Sequence, residues 1–156
     1  MLKVTIVALG SIKESYFREA IEEYTKRLQA FVQLEIKELK DVSFSDKDNK
    51  DMVKAKEAET IIAAIPRDSY VIALDENGTQ FTSEEFAKRI EAIKLQSSHV
   101  VFIIGGTLGL DPSVFEHINL KLSLSKNTLT HQMVRVFLLE QIYRIQMISS
   151  GKPYHY

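Results

Sequence analysis

Three apolar runs limit this chain most: LKVTIVA at 2–8, SYVIALD at 69–75 and HVVFII at 99–104. All are rich in β-branched residues and hardly alternate with polar ones, so each needs cover on both faces. The stretches between them read as helices. Tyr16, Phe17, Ala20, Ile21, Tyr24 and Leu28 form one stripe at 3–4 residue spacing across 14–29. Residues 50–64 read as a helix that stops before Pro66. The mixed charges of 46–59 read as a solvated loop and helix face. Thr82 with Glu85 matches a capping box for a helix reaching about Leu95. Asp111-Pro112 fits an N-cap and first helical residue for a short helix over 112–117. FVQLEIKEL at 31–39 and NLKLSLS at 119–125 alternate like half-buried strands, and Asn77-Gly78 is a turn signal. Alternating strands and helices imply an α/β fold, a mostly parallel sheet with helices on both faces. With 156 residues and no linker or repeat, residues 1–156 form one domain.

Such sheets bind ligands beyond the carboxyl ends of their strands. Three ends qualify: Leu74-Asp75, Gly105-Gly106 and Ser125-Lys126. Bare glycine backbone after HVVFII leaves room for a flat ligand, although a plain turn satisfies the same residues. Other chemistry is poorly served. The chain has no cysteine and only four scattered histidines, so no metal site is expected. G-G-x-x-G is not the dinucleotide fingerprint, no acid lies between Glu116 and Glu140, and neither a nucleophile elbow nor a phosphate loop is present. The opening MLKVTIVALG is too short for a signal peptide, and no run reaches the roughly 18–20 residues of a membrane span. The expectation is a soluble cytoplasmic protein without membrane contact.

Residues 131–149 form a closing helix that is apolar around almost its whole circumference. Cover on several sides is therefore required; a two-fold homodimer through this helix is the expected source, and burial wholly inside one subunit is the alternative. Glu140 and Arg144 are i,i+4 partners. Arg135 has no such partner and is a candidate for a phosphate. The last quarter carries Lys121, Lys126, Arg135, Arg144 and Lys152 against Glu140 alone, although the whole chain sums to −1. A basic end on an acidic body suits nucleic acid.

VIALD, FIIGGTLGLD, LSLSKNTLTHQMVRVFLLEQIYR and the terminal PYH together resemble the RlmH family, small SPOUT-class methyltransferases of large-subunit ribosomal RNA. KVTIVALGSIKE and the Glu-Tyr-x-Lys-Arg-Leu of 23–28 extend the likeness over the full length. The resemblance implies a trefoil knot in the C-terminal part. It implies methyl transfer from S-adenosyl-L-methionine to nitrogen 3 of a pseudouridine in 23S rRNA on the assembled ribosome. It also implies an active site completed by the second subunit. Carried over by position, the cofactor site comprises Leu74, Gly105, Leu124, Ser125, Lys126, Asn127, Thr128 and Leu129. Leu74 and Leu129 would sandwich the adenine. Tyr154 would stack on the target base, His155 would assist proton loss, and Arg135, Arg144, Lys126 and Lys152 would hold RNA phosphate. Two positions depart from the family pattern: Thr130 stands where proline is usual, and Tyr156 where a basic residue is common. Two alternatives stay open: another nucleotide-binding α/β enzyme, and a ribosome-binding protein without activity.

Overall fold

The computed structural model describes residues 1–154. Its elements run β1 (Leu2–Leu9), α1 (Ser15–Leu28), β2 (Val32–Leu39), α2 (Lys50–Ala64), β3 (Tyr70–Thr79), α3 (Ser83–Lys94), β4 (His99–Ile104), a 3-10 helix (Pro112–His117), β5 (Leu120–Leu122) and α4 (His131–Ser149). The sheet order is β2-β1-β4-β3-β5 and every pairing is parallel. β1, β4 and β3 sit in the middle, as their unbroken apolar runs require.

The order also explains where the helices lie. The connections β1→β2 and β3→β4 run one way across the sheet, and β2→β3 and β4→β5 run the other. Parallel crossovers keep one hand, so opposite directions put their helices on opposite faces. One face accordingly packs Leu28 of α1, Phe86 and Ile90 of α3, and Leu138, Leu139 and Ile142 of α4 on Val4, Ile6 and Phe102. The other packs Ala58 and Ile61 of α2 and Val114 of the 3-10 helix on Val7, Val71, Val101 and Ile103. Helices on both faces were the expectation, and this is what the chain builds.

Caps fix the helix starts. Asn49 accepts from the N–H groups of Asp51 and Met52, and Thr82 and Glu85 complete their reciprocal box. Asp111 accepts from the Ser113 N–H behind Pro112. Thr130 caps α4 by accepting from Met133 N–H. A hydroxyl at that position therefore supplies a cap that proline lacks, a contribution of about 1 kcal/mol.

Two boundaries differ from the sequence reading. Asn77-Gly78 does not end the strand: β3 runs on to Thr79, but the chain bulges between Leu74 and Thr79, where both oppose Leu122 and Asn77 N–H donates to Asp75 Oδ1 at 2.8 Å. β5 is correspondingly short, ending at Leu122 rather than 125. Local turn chemistry at Asn77-Gly78 falls inside β3, at a close approach to β5. A side-chain carbon on Gly78 would stand 2.7 Å from the Leu122 carbonyl carbon and the Lys121 oxygen.

Candidate cofactor and active site

The segment leaving β5 is tied down at its root and open at its crest. Ser123 N–H donates to the Thr79 carbonyl at 2.9 Å, and Ser123 Oγ to the Ser125 carbonyl at 3.0 Å. Asn127 N–H donates to Ser125 Oγ at 3.0 Å, and Thr128 Oγ1 to Glu76 at 3.0 Å. Lys126 and Leu129 make no hydrogen bond within the described residues, which leaves their peptide groups available to a ligand. Leu74 lies opposite Leu122 where the regular pairing of β3 ends, and packs against the core. Glu76, Asn77, Gly78, Gln80 and Lys126 border an open depression of about 410 Å³.

The glycine segment closes on itself. Gly109 N–H donates to the Gly106 carbonyl at 3.1 Å, and Gly109 takes φ +78°, which suits a residue without Cβ. Leu110 folds over Gly105, so that a Cβ there would meet its side chain at 3.0 Å. Leu110 is buried and is a wall of this region that motif reading missed. The glycines thus form a tight turn and a close approach together. Leu74, Gly105 and 124–129 gather at the carboxyl edge of β3, β4 and β5, the three ends expected from sheet logic.

The first turns of α4 face the same edge. Gln132 Oε1 accepts the N–H groups of Lys13 at 3.0 Å and Glu14 at 3.3 Å. Arg135 donates to the carbonyls of Leu9 and Gly10 and pairs with Glu38 at 3.2 Å. It is 1% exposed. The expectation that Arg135 faces a phosphate is corrected here: its charge is spent inside the protomer. Its partner lies on β2, far away in sequence, where a search along the helix finds nothing. His131 packs against Gly10 beside Asp41, and burial followed by the Arg135 charge holds its pKa below the ordinary imidazole value.

Glu57 is the other residue missed, since its surroundings in sequence look like a solvated helix face. It is 5% exposed on α2, accepts the Val42 N–H at 3.1 Å and borders Gly106. Burial pushes its pKa up. A raised carboxyl pKa favours folding most below the unfolded value, and the contribution is lost as pH rises through the folded value. Glu57→Gln keeps an acceptor for Val42 without the buried charge. The expected result is a higher Tm than wild type near pH 8 and no such gain near pH 4, read by calorimetry at both pH values.

At the far end of α4 the chain folds back. Tyr154 lies edge-on to Tyr143 at 4.8 Å, donates its hydroxyl to Glu140 at 3.3 Å, and has the Arg144 guanidinium over its ring at 4.8 Å. Burial, with the nearby Tyr24 and Glu140, pushes its phenol up to about 12. Arg144 also pairs with Glu140 at 2.7 Å, as the i,i+4 spacing predicts. Lys152 sits 5.0 Å over Phe31. His155 and Tyr156 lie outside the described residues. Most of α4 is covered within its own protomer by α1 and α3, while Met133 and Phe137, one turn apart, remain 43% and 37% exposed. Among the described residues no helix is long and apolar enough to cross a membrane, and no three metal-binding side chains cluster.

Comparison with known proteins agrees with this geometry. Residues 2–155 match the family model described as predicted SPOUT methyltransferase. The chain is 44% identical to the ribosomal RNA large subunit methyltransferase H of Bifidobacterium adolescentis over 99% of both chains. It is 45% identical to the protein of that name from Clostridium novyi and 43% to that from Streptococcus suis, again over 99% of each. An α/β sheet whose carboxyl edge gathers a glycine turn and an open loop, matched end to end by these relatives, belongs to the SPOUT methyltransferase family.

Proposed function

We propose that this protein is a cytoplasmic homodimer that methylates nitrogen 3 of a pseudouridine in 23S ribosomal RNA on the assembled ribosome, using S-adenosylmethionine. The observation that carries the reading is the meeting of Leu74, Gly105 and the 124–129 loop at one sheet edge. The donor set fits the cofactor: apolar Leu74 and Leu129 suit the faces of an adenine, and the unbonded peptide groups of Lys126 and Leu129 suit its polar edge. Bound there, S-adenosylmethionine supplies a methyl group already activated by its sulfonium charge. The chain's own task is to hold the acceptor nitrogen in line and to let its proton leave.

The two ends of α4 support a site shared between subunits. Tyr154 packs beside Glu140 and Tyr143, nine to twelve residues into α4 and so about 14–18 Å from its start at 1.5 Å per residue. Tyr154 therefore lies far from its own protomer's loop. Two copies related by a two-fold axis, with their α4 helices antiparallel, would bring each tail to the other's loop. Met133 and Phe137 give that contact an apolar strip. In this reading Tyr154 stacks on the target base and His155 assists at the same place. Lys126, Arg144 and Lys152 neutralise RNA phosphate.

The test is methyl transfer from labelled cofactor to ribosomes purified from a strain lacking this protein. Label in a single 23S pseudouridine is the expected result. Ribosomal RNA that stays unlabelled, with folded protein in excess, refutes the proposal.

A further inference from the structure

Among the described residues, two buried nitrogens on successive turns of α4 have no partner: Nδ1 of His131 and Nε of Arg135. Both belong to the face that grips the β1–α1 connection. The rest of that face is fully committed, Gln132 to the Lys13 and Glu14 N–H groups and the Arg135 terminal nitrogens to Leu9, Gly10 and Glu38. An unpaired buried polar atom amid so many satisfied ones calls for an explanation, and a catalytic role is one of those open to it. Nδ1 also has a specific neighbour. A methyl carbon built on Gly10 would stand 3.4 Å from Cε1 and 3.8 Å from Nδ1 of His131, and 3.9 Å from Cγ of Asp41. The bare face of Gly10, held at φ +80°, therefore lets the imidazole and the Asp41 carboxylate both approach it, and Asp41 acts on the ring through its charge. Nε2 is the ring nitrogen not enclosed in this way, and His131 is only two residues beyond Leu129 of the cofactor loop.

We propose that His131, oriented by Asp41 across Gly10, accepts the proton lost by the target nitrogen during methyl transfer. This rests on the function proposed above. As the N3 lone pair bonds to the methyl carbon, the carbon–sulfur bond breaks and its electron pair goes to sulfur. The N3 proton passes to Nε2, and the imidazolium formed is stabilised by the Asp41 carboxylate and later loses its proton to water. Asp41 is a positioning residue: it selects the tautomer with the proton on Nδ1 and leaves Nε2 free to accept.

The charged groups around the imidazole set its titration. Arg135 on its own helix and Lys13 after β1 lower its pKa, while Asp41 after β2 and Glu38 on β2 raise it, and burial exceeds each of these. The ring is therefore neutral at physiological pH, the form that can take a proton. Activity due to this group is present above the folded pKa and is lost as pH falls through it.

The test uses the full-length protein in three measurements. The first is single-turnover methyl transfer to ribosomes from pH 5 to 9. His131→Gln is expected to lower the rate roughly 100-fold or more, the usual worth of a positioned base, and to abolish the acid limb seen in wild type. The second is calorimetry, in which His131→Gln binds S-adenosylmethionine as wild type does. The third is the imidazole titration by NMR, assigned as the signal missing in His131→Gln. It is expected below the ordinary histidine range and to move lower still in Asp41→Asn. A full rate with an unchanged acid limb overturns the inference while leaving the methyltransferase reading intact. So does a His131 resonance that titrates normally or ignores Asp41→Asn. Weakened cofactor binding by His131→Gln also overturns it, because the residue then belongs to cofactor retention. A wild-type protein that transfers no methyl group refutes the function, and the inference with it.

Discussion

Arg135→Ala is expected to be the most destabilising single change at the carboxyl edge of this sheet. The guanidinium bridges three elements: α4, which carries it, the end of β1 through the Leu9 and Gly10 carbonyls, and β2 through Glu38. Truncation leaves two carbonyls without donors, Glu38 without its partner, and a cavity where a fully buried large side chain stood. Breaking a buried pair by removing one partner costs about 3 kcal/mol or more, although the half-exposed Glu38 moderates its own share. For a chain of this size that lowers Tm by roughly 6–12 °C. Arg144→Ala is the matched control. Its pair with Glu140 is partly exposed, and such pairs contribute only about 0–1 kcal/mol. Equal Tm losses in the two variants would show that Arg135 is not the structural bridge described here. A change in the salt dependence of ribosome binding confined to Arg135→Ala would return it to the RNA surface.

Gly78→Ala should be nearly as costly, with a functional consequence that Arg135→Ala does not isolate. The added methyl carbon would lie 2.7–2.8 Å from backbone atoms of Lys121 and Leu122. A side chain in the way can rotate, but a neighbouring strand cannot, so β5 has to move. Overpacking of this kind costs about 2 kcal/mol or more, a fall in Tm of roughly 4–8 °C. β5 leads directly into the 124–129 loop, so cofactor affinity should fall about tenfold or more in calorimetry. Gly109→Ala is the contrast. Its φ of +78° is strained for alanine, but no atom lies within 4 Å of the new carbon, so about 1 kcal/mol is expected from backbone conformation alone. Unchanged cofactor binding by folded Gly78→Ala would break the proposed link between the β3–β5 approach and the site.

The sheet was legible from LKVTIVA, SYVIALD and HVVFII because burial on both faces removes the polar alternation, and their short length and β-branched content set them apart from a buried helix. The edge of the proposed cofactor site was legible for a different reason: parallel strands share one carboxyl edge, so segments distant in sequence meet there, while the bounds 124–129 came from the family resemblance. The capping pairs Thr82–Glu85 and Asp111–Pro112 were equally readable, because their partners lie within one helical turn. What failed to appear were contacts between distant segments. Asn77-Gly78 carries the local signature of a turn, yet it falls in a bulge inside β3 and against β5 rather than at a strand end. Glu57 sits among charges typical of a solvated face, yet α2 turns it toward Gly106.

Sequence alone therefore determined the layers, the strand edge where the site is proposed, and the helix that closes the fold, since each follows from periodicity and from neighbours a few residues away. Only the tertiary structure decided where individual charges end up: Arg135 inside against β1 and β2, and His131 beside Gly10 and Asp41. The physical reason is that a charge takes its role from whichever groups are within a few ångströms. In this fold those groups are contributed by strands and loops far from it along the chain.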